Sequence, residues 1–151
     1  MHHHLHTEIE IDAAPDVVWS VLTDLNGYAA WNPFITSAEG TVEVGQQLTN
    51  RMEPPGGKAT TFRPRVTEVE SETTFEWLGR LGVRGVFHGR HLFELTATAT
   101  GTRLTQDEEF AGVLVRPLRG SLDRRTKAGF EQMNAALKTR AEAIAAGTVA
   151  P

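Results

Sequence analysis

His88 and His91 lie three residues apart in a stretch where polar and apolar residues alternate. An acidic run, Asp107-Glu108-Glu109, follows in the next such stretch. If the two stretches are neighbouring strands, His91 and Glu108 can stand opposite each other. Histidine changes charge near neutral pH, and a carboxylate beside it suits the proton transfers of aldol-type cyclisation or dehydration. His91 and Glu108 are therefore the candidate catalytic pair, as base and acid. The same two residues also fit a core histidine held by a buried carboxylate. A one-residue slip of register would turn Glu108 outward.

Other chemistries lack their residues. On a strand, His88 and His91 point to opposite faces and cannot share a metal ion. Gly56-Gly57-Lys58 has Ala59 where a phosphate loop needs Ser or Thr, and it lacks the upstream glycine. Gly79, Gly82 and Gly85 do not have dinucleotide-binding spacing. Ser121 lacks the second glycine of a nucleophile elbow. With no cysteine in the chain, disulfide frameworks, thiolate metal sites and cysteine nucleophiles are excluded. No cofactor or metal is expected.

The chain has 151 residues, enough for one domain with a substantial core. With 15 basic and 19 acidic side chains its net charge is −4, which argues against a nucleic-acid binder. No apolar run approaches the ~18 residues of a membrane span, and the N-terminus has no signal-peptide core, so a cytoplasmic protein without stable membrane insertion is expected. Met1-His2-His3-His4-Leu5-His6 reads as a purification tag or disordered leader, residues 147–151 as a tail, and 7–146 as the single domain. Arg116, Arg119, Arg124, Arg125 and Lys127 form a basic cluster, read either as a solvated helix face or as an attractor for an anionic headgroup.

Several elements must position the candidate pair. Alternation over 6–11 predicts a first strand. Pro15 and Asp16 open a short helix to about Leu25, and Tyr28 to Asn32 adds a turn stopped by Pro33. From Phe34 to Gly112 the period is two, predicting strands at 37–43, 47–53, 59–70, 73–81, 85–98 and 101–112 joined as antiparallel hairpins. Leu118, Leu122, Phe130, Met133, Leu137, Ala141 and Ile144 then recur on one face of a long helix. The fold class is α+β: a bent antiparallel sheet of about seven strands wrapped around a C-terminal helix, with two short helices after the first strand.

Alternation also selects the inward face. It gives Leu48, Asn50 and Met52; Phe62, Pro64 and Val66; Phe75, Trp77, Gly79 and Leu81; Phe87, Gly89, His91, Phe93 and Leu95; then Leu104, Gln106, Glu108 and Phe110. The helix offers Leu118, Leu122, Thr126, Phe130, Met133 and Asn134. Polar groups in such a face cost about 1–3 kcal/mol each if buried without partners, so they bond one another, water or a guest.

The stretch Ile11-Asp12-Ala13-Ala14-Pro15-Asp16-Val17-Val18-Trp19, with Tyr28-Ala29-Ala30-Trp31-Asn32-Pro33-Phe34 after it, resembles the opening of the SRPBCC (START-like) superfamily. Phe62-Arg63-Pro64-Arg65-Val66, Trp77-Leu78-Gly79, His91-Leu92-Phe93-Glu94-Leu95 and Gly101-Thr102-Arg103-Leu104-Thr105-Gln106 are similar to strands of its bacterial polyketide cyclase/dehydrase and lipid-transport family. The resemblance covers residues 7–145 and implies a helix-grip fold with a cavity between sheet and helix. It implies a ligand site at Trp31, Asn50, Met52, Phe62, Val66, Trp77, Phe87, His91, Phe93, Gln106, Glu108, Phe110, Leu122, Thr126, Phe130 and Met133, with Trp31 at the mouth. The expected activity is binding of a small hydrophobic molecule (aromatic, polyketide-like or lipid-like) by a monomer or homodimer. The alternatives are a cyclase/dehydratase using His91 and Glu108, and a protein-interaction module of the co-chaperone type.

Overall fold

The computed structural model describes residues 1–151. Strand β1 (His2–Ile11) leads into helix α1 (Pro15–Thr23), a 3-10 turn (Leu25–Gly27) and helix α2 (Tyr28–Trp31). Seven strands follow: β2 (Ile35–Glu39), β3 (Thr49–Met52), β4 (Thr60–Phe62), β5 (Arg65–Glu70), β6 (Thr74–Leu81), β7 (Phe87–Ala97) and β8 (Thr102–Ala111). A continuous helical rod closes the chain. Its parts are α3 (Val115–Ser121), a π-helical turn (Leu122–Thr126) and α4 (Lys127–Ala145).

The strands form two antiparallel sheets, ordered β1-β8-β7-β6-β5 and β2-β3-β4. Eight strands thus replace the expected seven, because the run 59–70 breaks at Arg63-Pro64. Proline has no N–H for a ladder, so β4 pairs with β3 while β5 pairs with β6. Residues 45–48 join the sheets. Gly45 and Leu48 N–H groups donate to Val66 and Pro64 carbonyls, and Val66 N–H donates to Gln46.

Strand β1 starts at His2, so residues 2–6, expected as a leader, form its first half. Leu5 is buried there, and the register pairs His2 with Ala111 and Leu5 with Glu108. The imidazoles have carboxylate partners: His2 meets Glu109 at 2.9 Å, His6 meets Asp107 at 2.6 Å, and inward-leaning His3 meets Asp123 of the helical rod at 2.7 Å. A run of histidines at the start of a chain reads as a tag, and the carboxylates that face it from β8 and the rod are what mark it as part of the sheet.

The core is organised by the rod. Phe130, Met133, Leu137 and Ala141 are buried in a row against the sheet and α1. Leu118, expected on this face, is 38 % exposed, although Val115 before it and Leu122 after it are buried. The short helices are pinned by polar groups. Tyr28 is fully buried, and its hydroxyl donates to the Leu22 carbonyl at 2.5 Å; burial, with the nearby Asp24 charge, pushes its ionisation far above the usual tyrosine range. Asn32 Oδ1 accepts from the N–H groups of Phe34 and Ile35, turning the chain from α2 into β2 ahead of Pro33.

Phe34 then packs edge-on to Phe130 at 5.7 Å between ring centres, directly over Gly129. A Cβ at position 129 would overlap the Phe34 ring, so rod and ring can approach only because the residue is glycine. Gly129→Ala is expected to lower stability by about 1–3 kcal/mol through overpacking, read as a lower urea midpoint at unchanged m-value.

Candidate functional site

The site is built from cross-strand rows on the inner face of the five-stranded sheet. One row runs Trp77–His91–Glu108–Leu5 across β6, β7, β8 and β1. The next row toward the rod's N-terminal end is Gly79–Gly89–Phe110, and the next row inward is Phe75–Phe93–Gln106. Gly79 and Gly89 are direct partners, so two adjacent inward positions carry no side chain. The sheet has a window there, and the rod's π-helical turn covers it.

The result is a cavity of about 170 Å³. Its walls are Phe34, Trp77, Phe110 and Leu122, with Gly79 and Gly89 as floor. Met52, Phe62, Phe87 and Thr126 are half-buried at its sides, and exposed Thr60, Arg80 and Leu81 form a rim. His91 and Glu108 supply ionisable groups within it.

The pair forms as the strand pattern predicts. His91 Nδ1 lies 3.1 Å from Glu108 Oε2, with the histidine side chain 3 % exposed and the glutamate 14 %. Gln106 Nε2 lies 3.0 Å from the other ring nitrogen, Nε2 of His91. The imidazole is stacked on Trp77 at 4.8 Å and meets Phe93 and Phe130 at 4.6 and 4.9 Å. Both its nitrogens are therefore occupied by side chains, while Glu108 Oε1 makes no hydrogen bond to protein. A Cβ at Gly89 would overlap that oxygen. Glycine here is what lets the carboxylate lie flat on the sheet.

Of the sixteen sequence-predicted site residues, Met52, Phe62, Trp77, Phe87, His91, Glu108, Phe110, Leu122 and Thr126 line this cavity. The others do not. Phe93 and Gln106 lie in the next row inward, Phe130 and Met133 on the rod, and Val66, the partner of Trp77 on β5, extends the site row to the sheet edge; all five are buried. Asn50 is 1 % exposed on β3 between Ala38 and Phe62, and neither of its amide atoms has a hydrogen-bonding partner. Trp31, expected at the mouth, packs edge-on to Tyr28 at 5.1 Å and borders a separate surface groove with Arg140 and Ile144. The short helix turns it toward the far end of the rod.

Phe34, Ile35, Thr60 and Arg80 line the cavity and were not anticipated as site residues. Gly79, Gly89 and Leu81 were placed inward by alternation but not assigned to the site. The signal available for the glycines was their coincidence on one face of consecutive strands. The basic residues Arg116, Arg119, Arg124, Arg125 and Lys127 are exposed, with Arg119 facing Asp123 at 3.8 Å. No group of three or more His, Asp or Glu side chains is arranged to hold a metal ion, and no helix is long and apolar enough to cross a membrane.

A curved antiparallel sheet gripping a C-terminal helix, with a recess between them, defines a helix-grip protein. The chain belongs to the polyketide cyclase / dehydrase and lipid transport family, whose model matches residues 2–142. Its fold is similar to that of the Zhui aromatase/cyclase from Streptomyces sp. R1128, at 19% identity and TM-score 0.79, over 96% of both chains. It is also similar to TTHA0849 from Thermus thermophilus, at 17% identity and TM-score 0.76, over 94% of this chain and 99% of that one. A norcoclaurine synthase point mutant from Thalictrum flavum, in complex with a transition-state analogue, aligns at 15% identity and TM-score 0.72, over 93% and 94% of the two chains. No curated protein sequence matches the chain.

Gly89→Ala is expected to drive the Glu108 carboxylate off the sheet and out of hydrogen-bonding distance of His91. A crystal structure of the variant reads this directly, since the overlapped atom is the end of a flexible side chain rather than backbone.

Proposed function

We propose that the protein binds a small hydrophobic molecule by seating one aromatic ring, or a chain end of similar bulk, in the recess over Gly79 and Gly89. A hydroxyl or enol on the guest donates to Glu108 Oε1. The observation that carries this reading is an apolar recess with a single unengaged carboxylate oxygen at its wall. Size supports it: an engineered cavity of about 150 Å³ takes up benzene, so about 170 Å³ suits one substituted ring. A polyketide-like or lipid-like guest would lodge one end, with the remainder leaving past Thr60, Arg80 and Leu81. The family's description and the aromatase/cyclase among the structural relatives support a guest of this class.

A second reading, cyclase or dehydratase activity, is favoured by the orientation of Glu108. Its free oxygen is aimed into the recess while His91 holds the other. In such a reaction Glu108 takes a proton from the carbon next to a guest carbonyl, and the resulting carboxylic acid returns that proton to a departing hydroxyl, which leaves as water. His91 orients the carboxylate and exchanges no proton with the guest, a division of labour that differs from the base-and-acid pair expected from sequence.

Titration with phenol, naphthol and hydroxyanthraquinone probes tests the binding reading, and Gly79→Ala sharpens it. A Cβ there meets Phe62, Gly89 and Pro64 only at ordinary contact distances of 3.7–3.9 Å, so the variant folds while its methyl group takes up part of the recess. Binding is expected in the wild type and at least roughly tenfold weaker in Gly79→Ala, the cost of about 1.4 kcal/mol of lost fit. Absence of binding for all probes, or equal affinity in the variant, contradicts the assignment. For the enzymatic reading, Glu108→Gln is expected to keep the guest bound while the conversion rate falls by about 10²-fold or more.

A further inference from the structure

The hydrogen bonds around His91 fix its proton as well as its position. Gln106 is wholly buried on β8, two residues before Glu108 and on the same inward face. Its amide nitrogen lies 3.0 Å from His91 Nε2 and 3.7 Å from Met133 Sδ, while its oxygen Oε1 has no partner. A thioether sulfur accepts hydrogen bonds weakly and has no hydrogen to give, so the end of the amide beside it is the NH₂ end. That same NH₂ donates to His91 Nε2, which must therefore present a bare lone pair. The proton of the neutral ring sits on Nδ1 and is donated to Glu108 Oε2.

We infer that Gln106 is a positioning residue that holds His91 as the neutral Nδ1–H tautomer and so leaves the charge and the proton-accepting lone pairs of the recess on Glu108. The inference rests on Glu108 being the group that meets the guest, and it deepens that reading by specifying a hydrogen-bond donor as the complementary feature of the ligand. A second proton on Nε2 would oppose an N–H to the amide NH₂. Turning the amide over would relieve this clash but set Oε1 against the Met133 sulfur, acceptor against acceptor. The glutamine is also held from behind: Thr7 Oγ1 donates to its backbone carbonyl at 3.1 Å, and Asn134 Nδ2 on α4 donates to that same hydroxyl at 2.9 Å. The ring's other neighbours offer no competing proton partner. Trp77 on β6, Phe93 on β7, and Phe130 and Met133 on the rod are uncharged, Glu108 on β8 is the ionisable group bonded to the ring, and Arg80 shares the recess from its rim.

Nitrogen-15 NMR of histidine-labelled, ligand-free protein at pH 7 tests this, with the His91 signals assigned by their loss in His91→Phe. The expected wild-type result is a protonated, pyrrole-type Nδ1 and a bare, pyridine-type Nε2. Glu108→Gln is expected to keep that tautomer, because Gln106 still donates to Nε2. In Gln106→Met, similar in length but without a donor, the fraction of molecules with a proton on Nε2 is expected to rise roughly tenfold, as loss of one buried donor of ordinary strength implies. A protonated Nε2 in the wild type or in Glu108→Gln overturns the inference, as does an unchanged Nε2 in a folded Gln106→Met. Should that variant fail to fold, the wild type and Glu108→Gln decide alone. The probe titrations are independent of this readout: a correct tautomer with no ring bound defeats the proposed function and leaves the role of Gln106 standing, and the reverse result does the opposite.

Discussion

Two glycines that face each other across β6 and β7 are the constraint on which the site depends. Elsewhere on the inner sheet face, paired residues such as Phe75 with Phe93, or Leu95 with Leu104, fill the space up to the helical rod. At Gly79 and Gly89 the sheet presents bare backbone, and interior packing is too dense for neighbouring rings to spread into the gap. The recess is thus a consequence of sequence at two positions on a sheet whose curvature is set by the whole fold. The same absence of a Cβ at Gly89 admits the Glu108 carboxylate, so the room for a guest and the polar group that would meet it share one origin.

Depth along the strands separates core from site. Rows on one side of the Trp77–His91–Glu108 row are solid with Phe75, Phe93, Phe130 and Met133, and rows on the other side open to the rim at Leu81 and Thr60. His91 stands at this boundary, enclosed by rings and bonded at both nitrogens. A buried polar side chain in such surroundings is tolerable only when its partners are complete, and Glu108 and Gln106 complete it. The π-helical turn at Leu122–Thr126 lies over the recess, contributing Leu122 and Thr126 to its wall. Irregular turns of this kind in long helices are frequent at functional sites.

Much of this was legible in the sequence. The period-two pattern placed His91 and Glu108 on one face, and the hairpin order brought their strands together, so the pair and the α+β helix-grip plan could be read without coordinates. Alternation reports which face a residue occupies but not how deep or how far across the sheet it lies: Phe93, Gln106, Phe130 and Met133 are deeper than the recess, and Val66 is beside it on the edge strand β5. The direction of Trp31 depends on how a four-residue helix docks on the rod, a tertiary fact with no local signature. Phe34, Ile35 and Thr60 reach the recess from a second, smaller sheet whose separation from the first hinges on Pro64. The histidines of β1 resemble a purification tag, and only their carboxylate partners on β8 and the rod mark them as part of the sheet.

The most direct measurement of the central claim is a crystal structure of the protein grown or soaked with 2-naphthol. The account predicts one ring lying over Gly79 and Gly89 between Trp77, Phe110 and Leu122, with the hydroxyl oxygen within hydrogen-bonding distance of Glu108 Oε1. A ring bound only at another surface, or a recess closed by rearranged side chains while the compound binds elsewhere, would contradict it.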